Sequence, residues 1–143
     1  MESYQQLKAR HQKEVNDFPL GAAFSEKQVE EMMCAFGLPN DKTGYAQIAS
    51  LGYGVYIKKS DIPAWREMTR RHNEEIQQFR KDKEALRTAL IHEFADHESQ
   101  YSRDDETICA CVGLTWEQVR NDKELYKLYQ QAWETFMKNA RCS

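Results

Sequence analysis

From Ala64 to Gln100 the chain carries neither glycine nor proline. Those are the two residues that most readily break a helix, so a run of this length defaults to helix. Trp65, Met68, His72, Ile76, Phe79, Leu86, Leu90 and Phe94 recur within it at three- and four-residue steps, which lines them up as one apolar stripe. The stripe weakens at Arg80-Lys81-Asp82-Lys83. The segment is therefore one helix of about 36 residues or two helices joined near Asp82, and a mean helix length of about 11–12 residues favours the joint. Asp61 reads as the N-cap, and Pro63 falls in the first turn, where its missing N–H costs nothing.

The flanking sequence is also helical in pattern. Residues 2–16 place Tyr4, Leu7, His11 and Val15 at helical spacing before Asp17-Phe18-Pro19-Leu20-Gly21 interrupts them. Ser25 and Gln28 form a capping-box pattern, with Phe24 and Val29 placed to staple it, and the helix that follows should stop at Gly37. Residues 39–44 read as a loop by turn chemistry. Asp104 or Asp105 should cap a helix ending at Gly113, and Thr115 with Gln118 makes a second capping box. A last helix over 123–139 carries Leu125, Leu128, Tyr129, Ala132, Trp133 and Phe136 on one stripe. β-like alternation occurs only in YAQIASLGYGVYIKK, where Tyr53, Val55 and Ile57 alternate with Gly54, Tyr56 and Lys58. The expected fold is mostly α (α+β): a single domain over 1–143, five to seven helices around one core, with one small β-hairpin near 45–59.

Charge narrows the function classes. The formal net charge is −3, and no basic excess argues for nucleic acid as the main partner. Locally the balance swings: residues 46–90 hold nine Lys/Arg against six Asp/Glu, and residues 91–106 hold one Arg against six acids. Cys34, Cys109, Cys111 and Cys142 lack the spacing of a secreted disulfide framework and read as reduced thiols. No apolar run approaches a membrane span and the N-terminus lacks the apolar core of a signal peptide, so no membrane partner and a cytoplasmic location are expected.

Candidate chemistry concentrates in His92-Glu93-Phe94-Ala95-Asp96-His97-Glu98. A zinc-protease helix needs histidines at i and i+4, whereas these are five apart and lie about 140° around a helix from each other. Glu93 and His97 do share a face, with Asp96 alongside, so a divalent metal helped by Asp104 or Glu106 is one reading. A solvated acidic helix end with a Glu–His pair is the plainer one. Cys109-x-Cys111 lacks a second ligand pair and reads as inert thiols. ETICACVGLTWEQV suggests a helix-turn-helix, but Asp122 stands where an apolar residue is expected, and a turn between two core helices is the simpler account. The basic run Arg66, Arg70, Arg71, Arg80, Lys81, Lys83 and Arg87 is interleaved with glutamates, as on a solvated, internally paired face. His11, His72, His92 and His97 read as structural, and no catalytic residue can be picked out.

Six stretches, YQQLKARHQKEVNDFP, FSEKQVEEMMCAFGL, LGYGVYIKKSD, REMTRRHNEE, HEFADHE and GLTWEQVRND, together resemble a family of small uncharacterised proteins encoded on phages, plasmids and integrated elements of gut-dwelling Firmicutes. The resemblance covers nearly the whole chain in the same order and brings no activity with it. What it implies is context: small accessory proteins of mobile elements often bind and modulate a host or defence protein, for example as an inhibitor of the anti-CRISPR kind, in the host cytoplasm. The expected function is accordingly a non-enzymatic binding protein with no cofactor. Its expected contact surface is Tyr53, Tyr56, Lys58, Lys59, Trp65 and Arg66, because aromatic side chains and arginine dominate interface energetics. A divalent-metal-binding module or hydrolase using Glu93 and His97, and a nucleic-acid-binding regulator using the basic helix, are the alternatives.

Overall fold

The computed structural model describes residues 2–142. Among them are eight α-helices and three short strands. The chain divides into two compact units, one joining residues 2–10 to residues 71–142, the other His11–Arg70.

The first unit contains the start of α1 (Tyr4–Asp17), the end of α4 (Ile62–Arg80), α5 (Lys83–Asp96), α6 (Asp105–Cys111), α7 (Trp116–Asn121) and α8 (Lys123–Cys142). The long glycine-free run is two helices. Arg80 ends the first, and the Asp82 side chain accepts from the amides of Glu84 and Ala85 to start the second. Asp104 caps α6, Thr115 closes a full capping box on α7, and Asp122 accepts from the amides of Glu124 and Leu125 at the head of α8. The residue that spoils a helix-turn-helix is thus a cap. The core forms where Leu86, Ala89, Leu90 and Phe94 of α5 meet Leu128, Tyr129, Ala132 and Phe136 of α8, with Ile108, Val112 and Val119 closing it. Phe94 is its centre, with ring centroids 5.3 Å from Tyr129, 5.1 Å from Trp133 and 5.7 Å from Phe136.

The second unit packs α2 (Glu26–Phe36) on a three-stranded antiparallel sheet of β1 (Gly21–Ala22), β2 (Ile48–Gly52) and β3 (Val55–Lys58), in the order β1-β3-β2. Ala23, Met32 and Met33 are its buried cluster, flanked by Val29, Phe36, Leu38, Ile48 and Tyr56. Gly37 ends α2 at φ 71, the left-handed cap its position promised. Three expectations are corrected. The hairpin gains a third strand from the break after α1, because a two-residue segment suffices to pair Gly21 with Tyr56 and Ala22 with Val55. Residues 39–44 are not all loop: Asp41 caps a four-residue helix, α3 (Lys42–Tyr45), which takes the helix count above the expected five to seven. Phe24 is 75% exposed rather than closed down as a staple.

Trp133 is half-buried on α8, edge-on to Phe94 and tilted against Phe136, with the Arg103 guanidinium 4.4 Å from its ring centre. Trp133→Ala should destabilise the protein by about 2–4 kcal/mol, towards the low end for a large aromatic because the ring is not fully enclosed. Urea unfolding checks this; an unchanged midpoint would mean that the α5–α8 aromatic cluster does not hold the unit together.

Candidate functional site

The acidic segment ends in solvent but turns one carboxylate inwards. On α5 the buried positions are Leu86, Ala89, Leu90, Glu93 and Phe94. Glu93 occupies the next place in a three-four apolar repeat, and its side chain is 0% exposed. A carboxylate taken out of water must be met by donors or give up its charge. The first turns of α1 supply them: Tyr4 Oη donates to Glu93 Oε1 at 2.6 Å, and Lys8 Nζ reaches the same oxygen at 2.6 Å and Asp96 Oδ2 at 3.2 Å. Burial raises the Glu93 carboxyl, but the bonds from Lys8 and Tyr4 outweigh it and hold the group below its ordinary value. Burial, and then the bond to Glu93, push the Tyr4 phenol well above its ordinary range. The plain reading, a solvated acidic helix end with a Glu–His pair, fits the exposed Asp96, His97 and Glu98 and the pair itself, and departs only at Glu93, which faces the core.

The other carboxylate oxygen faces differently. Glu93 Oε2 is buried and takes no bond from Tyr4 or Lys8, and the carboxylate's remaining hydrogen-bonding neighbour is the Cys111 thiol. His97 Nε2 lies 3.3 Å from it, and Cys111 Sγ lies 3.7 Å from that same nitrogen. Both partners sit where helices stop. His97 is the C-cap of α5, followed by Glu98 in the left-handed region at φ 48, with Ser99 N donating to Phe94 O and Glu98 N to Ala95 O. Cys111 ends α6, followed by Gly113 at φ 74, with Leu114 N donating to Cys109 O and Gly113 N to Ala110 O. Each is a Schellman ending, which fixes the direction in which the last side chains leave the helix. Burial and the neighbouring Glu93 charge push the Cys111 thiol up to about 11. His92, five residues before His97, is committed elsewhere: its Nε2 is 3.0 Å from Asp96 Oδ2 and its Nδ1 is 3.1 Å from Gln5 Nε2. Asp104 is spent on its cap.

The expected contact residues are not gathered in one place. Tyr53 is 97% exposed at the hairpin tip. Gly52 and Val55 pair across a two-residue loop whose residues, Tyr53 and Gly54, have φ 54 and 76, the pattern of a type I′ turn. So Tyr53 belongs to the turn and not to the strand alternation assumed for it. Tyr56 is half-buried against the Met32–Met33 cluster, and Trp65 packs edge-on against Phe18 at 5.1 Å. Lys58 lies 3.9 Å from Asp61 and over the Phe36 ring. Lys59 and Arg66 are exposed, but Lys59 sits past the far end of β3, on the order of 15 Å along the strand from the tip. Two apolar residues missed in the sequence stand nearer. Leu51, 40% exposed, precedes the turn, and Phe24 lies across Gly54, where an added Cβ would meet its ring at 2.4 Å. The bond from Ala23 N to Gly54 O at 2.9 Å carries Phe24 there.

Part of the basic run is paired: Arg70 with Glu67, Arg71 with Glu75 and Arg87 with Glu84 along their own helices, and Lys83 with Glu124 of α8. Arg80 donates to the carbonyls of Val112 and Gly113 at 3.1 and 3.0 Å, closing the open end of α6. Among the described residues no helix is long and apolar enough to cross a membrane, and no disulfide joins the cysteines.

Because the Glu93 carboxyl is held below the ordinary value of 4.5, its contribution to stability is complete above that pH and disappears as pH falls through the lower folded value. Glu93→Gln should therefore melt below the parent at pH 7, and the gap should narrow towards pH 3. A gap that stays constant with pH would mean that Glu93 is buried neutral.

A family model described as a family of unknown function (DUF7659) matches residues 3–135. No curated protein and no solved structure matches the chain. The match spans most of the sequence, and the chain belongs to that family.

Proposed function

We propose that this member of the DUF7659 family works by binding another protein, and that the tip of the β2–β3 hairpin is the contact. One observation carries this reading: Tyr53 is held at φ 54 with 97% of its surface in water. A left-handed conformation costs an L-residue about 1–2 kcal/mol, and the first place of a type I′ turn is normally filled by Asn, Asp or Gly. Neither packing nor turn geometry rewards a tyrosine here. A ring set out in solvent at a strained position is the arrangement of an interface anchor, rigid, large and polar only at its end. Phe24 and Leu51 broaden the tip into an apolar knob, suited to a partner pocket that is itself apolar with an acceptor or donor for the Tyr53 hydroxyl.

The partner's identity rests on the resemblance to proteins of mobile elements, which favours a host or defence protein and an inhibitory role in the host cytoplasm. Binding, rather than catalysis, is the reading that the hairpin supports. The nucleic-acid alternative is weaker on geometry: the basic helix face is laced with its own glutamates, and cations already paired release fewer counterions on meeting phosphate.

The test separates stability from binding. Tyr53→Asn suits the turn better, so it should stabilise the protein by about 0.5–1 kcal/mol and raise the melting temperature by about 2 °C. The same variant should lose the partner that the parent captures from host lysate, as should Phe24→Ala. If Tyr53→Asn captures that partner as well as the parent does, the tip is not the contact.

A further inference from the structure

A carboxylate oxygen of Glu93, His97 Nε2 and Cys111 Sγ lie within 4.8 Å of one another, and Oε2 is the oxygen that Tyr4 and Lys8 leave to that side. Were they a hydrogen-bonded triad, the imidazole would offer its two nitrogens to two partners. Here one nitrogen, Nε2, faces both the carboxylate at 3.3 Å and the sulfur at 3.7 Å, so all three donor atoms converge on one point and the ring does not bridge two partners. Bonds of about 2.0 Å to nitrogen and oxygen and about 2.3 Å to sulfur, set at tetrahedral angles, give edges of about 3.3 Å for O···N and about 3.6 Å for S···N. Those are the spacings found.

From this convergence we infer that Glu93, His97 and Cys111 form a binding site for one divalent transition metal ion, zinc by the donor set, with a fourth position left to water. Mixed carboxylate, imidazole and thiolate donors suit zinc and cobalt and do not suit calcium or magnesium. His97 is 40% exposed at the side chain, so the ion has a way in and its fourth position faces solvent. The surroundings orient the donors. Tyr4 and Lys8 both take Oε1, which turns Oε2 of this buried carboxylate towards His97 and Cys111. Formal charge also closes. Glu93 and Asp96 against Lys8 leave one net negative charge, and a divalent ion with a thiolate adds one net positive charge. As the sulfur–metal bond forms, the thiol proton leaves to water. His97 and Cys111 both stand at helix C-termini, the ends that carry partial negative charge. The neighbouring group of His92, Glu93 and Asp96 fails the same test, because Lys8 and Gln5 already hold its atoms.

Cobalt tests the site directly. Chelator-stripped protein titrated with Co²⁺ at neutral pH should bind one equivalent, show the strong visible bands of tetrahedral cobalt with a thiolate-to-cobalt charge-transfer band, and lose both on adding Zn²⁺. Cys111→Ser should lose the charge-transfer band, and His97→Ala should weaken binding at least about tenfold. Both positions are partly exposed, so metal-free melting curves should show the variants folded. Cys34→Ser, at an exposed thiol in the other unit, should leave the spectrum unchanged. The inference is overturned if the parent binds no cobalt at micromolar concentration, if Cys111→Ser keeps the charge-transfer band, or if Cys34→Ser removes it.

Discussion

Burying a carboxylate costs several kcal/mol unless cations and donors follow it inside, and that requirement organises the first unit around Glu93. The residue stands on the core face of α5, one turn after Leu90 and directly before Phe94, where a leucine would pack without help. Its donors come from Tyr4 and Lys8, far away in sequence, so the start of α1 is tied to α5 by chemistry that no apolar stripe could specify. Removing Lys8 would take away the only cation on Oε1, and removing Tyr4 would take away one of its two donors. An ion pair of this kind is weak evidence for stability, since an apolar replacement would often serve as well or better. What the pair does specify is orientation: with Oε1 held by Tyr4 and Lys8, Oε2 is turned towards His97.

Much of the backbone is legible because helix ends announce themselves. Asp82, Asp104, Thr115 and Gly37 each stand where their side chain or conformational freedom satisfies orphan amides or carbonyls, and each does so in the structure. Periodicity places the α8 stripe for the same local reason. What fails is non-local. A two-residue strand has no periodicity, so β1 gives no signal until Tyr56 and Val55 are there to pair with it. Tyr53 is misplaced by one geometric fact: alternation continues across a tight turn in sequence although the turn rotates the chain. Glu93 is misplaced when its charge is weighed above its phase, and the three-four spacing from Leu86 and Leu90 is the signal that could have found it.

Cys111 shows the harder limit. Nothing within its own helix sets it beside His97, because the two meet only after the chain leaves α5, crosses residues 97–104 and starts again at Asp104. Sequence spacing of ligands is informative when one element or one hairpin presents them, as in zinc fingers or metalloprotease helices. Here the donors come from two helix ends, and the information lies in how those ends are closed. Glu98 bears on this point. A non-glycine residue in the left-handed cap of α5 accepts some strain, and the ending it completes is what leaves His97 pointing back at Glu93.

The two candidate sites differ in what a mutation can remove. At the hairpin the backbone does not need the side chain: glycine or asparagine would make the turn more easily than tyrosine, so whatever Tyr53 contributes lies outside the fold. At Glu93 the side chain and the fold are entangled, since the carboxylate that would hold an ion also anchors α1 through its other oxygen. A loss of function at Glu93 therefore carries little information on its own, and a loss at Tyr53 carries a great deal. The same contrast gives Cys111 and His97 their value as reporters. They touch the shared point through atoms at the edge of the core, where side-chain chemistry can be altered while the tie between Lys8, Tyr4 and Glu93 Oε1 stays in place.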